Sequence, residues 1–129
     1  MSGIALDGAG AVYLTGTTTS NDLPTVNAYD ENLTGTQDVF VAKFDPGIAG
    51  AGCLLYATYV GGTDGSGNDQ AGGITVDGDG KIYVAGSTTA SDSPTTLGAY
   101  QTARDGLVTT SDGFLVKLDP YVAGPDALL

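Results

Sequence analysis

Short apolar runs separate polar, glycine-rich stretches along the whole chain. Runs at 3–7, 11–16, 38–45 and 53–60 are followed by similar ones at 73–77, 81–87 and 112–119, and by a start at 127. All are rich in Val, Ile, Leu, Phe, Tyr and Thr, the residues that favour strands. Gly, Asp-Pro and Ser-Asp clusters bound them. No segment combines helix length, 3.6-residue periodicity and caps. The pattern therefore predicts an all-β protein. Val12-Tyr13-Leu14, Phe40-Val41-Ala42, Leu54 to Val60 and Ile82-Tyr83-Val84 show little alternation. Strands that are apolar on both faces suit a sheet with other sheets packed on each side.

The runs belong to a repeat. Asp7, Gly8, Gly10, Tyr13 and Gly16 recur as Asp77, Gly78, Gly80, Tyr83 and Gly86. SNDLPT at 20–25 recurs as ASDSPT at 90–95, NAYD at 27–30 as GAYQ at 98–101, and DVFVAKFDP at 38–46 as DGFLVKLDP at 112–120. The unit is about 70–74 residues long, with small loop insertions in the second copy. The organisation expected is one repeat over 1–72 and a second, incomplete one over 73–129. Each repeat offers four short strands. Four-stranded antiparallel sheets stacked around an axis make a β-propeller, so the expected architecture is two four-stranded antiparallel propeller blades, the second incomplete.

The shared Asp-Gly-x-Gly between the first two runs reads as a tight turn. Asp bonds backbone N–H groups ahead of it, and Gly supplies the left-handed conformation. An EF-hand loop would need a bidentate Glu at its twelfth position, and counting from Asp77 reaches Thr88.

GIALDGAGAVYLTGTTTSNDLPT, DVFVAKFDP and LLYATYVGG, in that order, resemble the bacterial and archaeal beta-propeller repeat named after seven-bladed propellers, SBBP. The resemblance covers essentially the whole chain. It implies four-stranded blades and, usually, a secreted or surface-attached microbial protein, with no general catalytic motif. The family often places an aromatic before the Pro of the long loop; this chain has Leu23 and Ser93 there.

Charge narrows the partners. Fifteen acids against four basic residues give a net charge of −11, which disfavours nucleic acid and anionic membranes. There is no His, which removes the commonest general base and transition-metal ligand. Cys53 is the only cysteine, so no intrachain disulfide forms, and its place in CLLYATYV predicts a buried small apolar residue. No apolar run reaches the length of a membrane span, and no signal peptide is read at Met1. Asp38/Asp112 and Asp45/Asp119 repeat in the manner of turn and strand-end residues. No enzyme is expected.

Three places are candidates for binding. The connections 17–37 and 88–111 exceed the length of ordinary loops. Pro24/Pro94 and Tyr29/Tyr100 are expected to pin them to their own blades. If instead they bind a ligand, Asp22, Tyr29, Asp92 and Tyr100 are the residues to carry it. In GGTDGSGNDQAGG, residues 61–73, Asp64, Ser66, Asn68 and Asp69 offer closely spaced oxygens, a calcium candidate in a chain otherwise expected to have no cofactor. Asn32-Leu33-Thr34 fits a glycosylation acceptor, a triplet that also arises by chance.

Two blades do not close a ring. The expected partners are other propeller blades, in one longer chain of which this is a piece, or in further copies joined head-to-tail. The function expected is a non-enzymatic scaffold, secreted or on the cell surface, that displays loops to a protein or glycan. The rivals are a calcium-dependent binding module and part of a hydrolase-type propeller.

Overall fold

The computed structural model describes residues 1–65, 67–104 and 110–129. The chain forms two antiparallel sheets. Sheet one contains β1 (Gly3–Leu6), β2 (Val12–Thr18), β3 (Asp38–Phe44) and β4 (Leu54–Val60), ordered β1-β2-β3-β4. Sheet two contains β5 (Asp69–Val76), β6 (Ile82–Thr88) and β7 (Asp112–Leu118), ordered β5-β6-β7. The repeat recurs down to its register. Val12 faces Phe44 across β2–β3, and Ile82 faces Leu118 across β6–β7. A short 3-10 turn leads into β4 at Gly50–Cys53, and a second lies at Pro125–Ala127. Beyond it Leu128 bridges Leu118, where β4 would have its counterpart. The two sheets are partial propeller blades, four strands and three.

Two details differ from the sequence expectation. β5 begins at Asp69 rather than 73, because Asp69 to Ala71 pair with Thr88 to Gly86 ahead of a bulge at Ala71/Gly73. Cys53 is half-buried, since it sits at the end of a 3-10 turn before β4 begins.

The hairpin turns form as expected. Asp7 Oδ1 accepts the N–H groups of Ala9 and Ala11, both at 3.0 Å, and Asp7 Oδ2 accepts the Tyr13 hydroxyl at 3.0 Å. Asp77 repeats this with Asp79, Lys81 and Tyr83. Gly10 and Gly80 close the turns at φ 89° and 79°, conformations that favour glycine.

One core joins the sheets. Tyr13, Val39, Val41, Tyr56 and Val60 of sheet one pack with Ile82, Val84, Val116 and Leu118 of sheet two. β5 lies against β1, β2 and β3. Each sheet therefore buries a different face. Sheet one buries the face of Tyr13, and sheet two buries the opposite one, that of Ile82 and Val84. The outward faces are open. On sheet one Ile4 and Leu6 are 57% and 63% exposed, beside half-buried Val12, Leu14, Phe40 and Phe44. On sheet two Leu115 is 70% exposed, near Ala85 and half-buried Tyr83.

Candidate functional site

Antiparallel pairing sorts the connections between two ends of the molecule. The Asp7 and Asp77 turns share one end with the turns that follow β3 and β7. The β2–β3, β4–β5 and β6–β7 connections leave from the other, here the loop end.

The first long connection is fastened to β4. Val26 and Asp30 bridge Ala57 and Tyr59. The Tyr59 hydroxyl accepts the Leu23 N–H at 2.9 Å and donates to the Ser20 carbonyl at 2.8 Å. Tyr29 is half-buried against the core, and burial pushes its hydroxyl pKa up. The tip reaches the segment that follows β7, where Asn27 Nδ2 donates to the Pro120 carbonyl at 2.9 Å and Gly124 N–H to the Ala28 carbonyl at 2.8 Å. Asn27 adopts φ 51° there. Tyr29 thus pins its loop, as expected. Asp22 stays exposed beside Ser20, whose hydroxyl it accepts.

Tyr100, the counterpart of Tyr29, does not pin its loop. It is 105% exposed, and Leu97, the counterpart of Val26, is 106% exposed. The reason is the strand beneath. In sheet one β4 supports the loop; among the described residues no strand occupies that place beside β7, where Ala127 to Leu129 make a short pairing with Lys117 to Asp119. A cleft of about 480 Å³ lies there, lined among others by Pro94, Tyr100, Phe114, Leu115 and Leu129.

The acids of the β4–β5 connection are brought onto the second long loop. The Asp92 carboxylate accepts the N–H groups of Thr63 and Asp64 and the Thr63 hydroxyl. In return Asp64 Oδ2 accepts the N–H and hydroxyl of Ser91 at 2.7 and 2.8 Å, and its Oδ1 accepts the Gly67 N–H at 3.0 Å. Asp64 and Asp92 therefore form a reciprocal clamp, which sequence spacing gave no means of seeing. Asn68 serves the backbone: its N–H donates to Thr89 Oγ1 and it bridges Gln37. Ser66 lies outside the described residues. Among those described, no group of three or more His, Cys, Asp or Glu side chains is placed to hold a metal ion.

Asp69 points elsewhere, into the joint between the sheets. It is buried, and its Oδ2 accepts the Gly62 N–H at 3.1 Å. Asp38, at the start of β3, is also buried; its Oδ2 accepts the Thr34 N–H at 2.9 Å, and its Oδ1 makes no hydrogen bond. The two carboxylates meet over Gly61. A Cβ on Gly61 would stand 2.5 Å from Asp38 Oδ1 and 2.7 Å from Asp69 Oδ2. Desolvation first, and the neighbouring Asp69 and Asp30 charges with it, push the Asp38 carboxyl up to about 6. Desolvation also raises Asp69. The repeat had marked Asp38 only as a strand-end residue.

At the opposite end, Lys43 is buried between two rings. Its ammonium lies 5.1 Å from the Tyr13 ring centre and 5.0 Å from that of Tyr121, and donates to the Tyr121 hydroxyl at 3.1 Å. Burial works against the Lys43 charge, but the two hydroxyls more than offset it and raise the pKa. Lys81 pairs with Asp119 at 2.5 Å. Tyr121 thus links the two sheets at this end.

Compared with known proteins, residues 1–24 and 55–92 match the family model of SBBP, a beta-propeller repeat. No curated protein matches the chain.

Proposed function

The chain carries SBBP beta-propeller repeats, and from that premise we propose that it is a structural scaffold, a stretch of propeller that continues head-to-tail into further blades. The observation that carries this reading is the correspondence of its faces. Val12, Leu14 and Phe44 on the open face of sheet one hold the repeat positions of Ile82, Val84 and Leu118, which are sealed against sheet one. The open face of sheet one therefore has the composition of a face that receives another blade, and Tyr83 and Leu115 open the complementary face on sheet two. Contacts of this kind are heterologous, between unlike surfaces, and build rings when the rotation closes. The further blades come from the same longer chain or from further copies.

The scaffold's working surface is its loop end. Exposed Asp22 supports contacts to a protein or glycan there, in a secreted or surface-attached setting as the family resemblance implies. The role is binding, without catalysis. A head-to-tail fusion of three copies of the chain tests the scaffold reading. The fusion is expected to melt more cooperatively and at higher temperature than the single chain; equal melting would refute the reading. A glycan array probed with the same fusion tests the loops. Signal that disappears in Asp22→Ala assigns the loop end a binding role, and signal unchanged by it removes that role.

A further inference from the structure

Lys43 and Lys117 hold the same repeat position, and so do Tyr13 and Tyr83, the residues they face across the strands. Each lysine lies over its tyrosine, with the ammonium 5.1 Å from the ring centre in both. Each tyrosine hydroxyl donates to the aspartate of its own hairpin turn, Tyr13 to Asp7 and Tyr83 to Asp77. One unit is thus built twice, in different surroundings. Tyr13 is fully buried and Lys43 is 6% exposed, and the turn after β7 brings the Tyr121 ring against Lys43. Tyr83 and Lys117 are half-open on the outer face of sheet two.

Tyr121 supplies what a lysine in a blade joint needs. Its ring centre lies 5.0 Å from Lys43 Nζ, and its hydroxyl accepts from that ammonium at 3.1 Å. An ammonium taken from water without such a partner is costly, and an aromatic face offsets part of that cost. Sheet one offers no equivalent ring. Gly47 stands at the repeat position of Tyr121, and Ala11 at that of Lys81, which flanks the Tyr121 ring. The turn itself is the same in both repeats: Gly47 N–H donates to Asp45 Oδ1 at 2.8 Å, as Tyr121 N–H donates to Asp119 Oδ1 at 3.0 Å. A second copy docked head-to-tail would therefore bring Gly47 to Lys117 and leave the ammonium uncapped.

We propose that Tyr83 and Lys117 form a socket for an aromatic side chain, and that this socket selects the blade that follows: one with a ring at the Tyr121 position, in preference to sheet one of a second copy. The inference rests on the scaffold reading and names the partner of its second open face. Tyr121 plays the selecting part in the joint between the two sheets. It is 64% exposed, so its contact with Lys43 matters more than the volume it fills.

The test gives the chain the missing ring. Gly47 is exposed, and a Cβ there would meet only Asp45 Oδ1, at 3.1 Å, so Gly47→Tyr fits the turn. Light scattering over a concentration series is expected to show Gly47→Tyr associating at about tenfold lower concentration than wild type, the worth of one cation–π contact with its hydrogen bond. Adding Lys117→Met is expected to remove that gain. Association no tighter in Gly47→Tyr, or a gain that survives Lys117→Met, overturns the socket. The three-copy fusion carries Gly47 throughout, so its melting decides the scaffold reading independently. A second measurement uses the joint already present. In urea unfolding, Tyr121→Ala and Lys43→Met are expected to couple, the double variant losing at least about threefold less in its folding constant than the product of the single losses. Independent losses overturn the socket even where Gly47→Tyr fails to fold.

Discussion

Val12 and Ile82 hold the same place in the two repeats, yet Ile82 is sealed in the core and Val12 lies half-open on an outer face. Their cross-strand partners, Phe44 and Leu118, differ in the same way. One repeat position thus exists in two environments within one molecule, one with a neighbouring blade and one without. Ile82→Ala should cost about 2–5 kcal/mol, the usual range for a buried aliphatic truncation. Val12→Ala should cost clearly less in the isolated chain. Chemical denaturation of both variants measures the difference, and equal losses would mean that the open face is already covered in solution.

Tyr59→Phe tests the fastening of the first long connection. The ring stays, but the Leu23 N–H and the Ser20 carbonyl lose their partner. The expected cost is about 1–3 kcal/mol, as for hydrogen bonds to a buried group. Hydrogen exchange should speed up at Leu23, with little change at the Asp77 turn.

Gly86→Ala should be more harmful than its mild chemistry suggests. A Cβ there would stand 2.1 Å from the Gln70 carbonyl oxygen, a backbone atom, and 2.8 Å from Phe114. Backbone cannot swing away as a side chain can, so β5 and β6 must separate. About 3 kcal/mol of destabilisation is expected, at the upper end of ordinary overpacking. A thermal melt within a degree of wild type would contradict it.

Acid should destabilise the fold through its turn carboxylates. Burial raises Asp7, but the N–H of Ala11 and the Tyr13 hydroxyl outweigh it, and its pKa is lowered overall. The Lys81 N–H lowers Asp77 most, and the Lys81 side chain lowers Asp119 most. These groups stay ionised in the folded state where the unfolded chain has taken up protons. Their contribution is therefore present above about pH 4 and lost as pH falls through the depressed folded values. Urea midpoints between pH 4.5 and 2.5 should fall, and Asp77→Asn should reduce the fall.

Much of this fold was legible because the repeat writes three of its four strands twice. The Asp-Gly-x-Gly turn was readable from Gly10 and Gly80, since one left-handed glycine at a fixed place closes each hairpin. What the sequence could not give was contact between segments distant along the chain. Asp64 and Asp92 looked like separate candidates, one for metal and one for ligand, and they meet only because the β4–β5 connection folds onto the second long loop. Tyr29 and Tyr100 looked equivalent by alignment. They differ because β4 lies under one and no described strand lies under the other. Asp38 read as a strand-end residue, and its burial against Asp69 appears only once β5 docks on β3.

If the two outer faces receive further blades, light scattering of the 129-residue chain on a sizing column shows it. Association is expected, with masses at multiples of 12.8 kDa that grow with concentration and shrink in Leu14→Asp, which places a charge on the open face of sheet one. A monodisperse species at 12.8 kDa at every concentration, unchanged by Leu14→Asp, would contradict it.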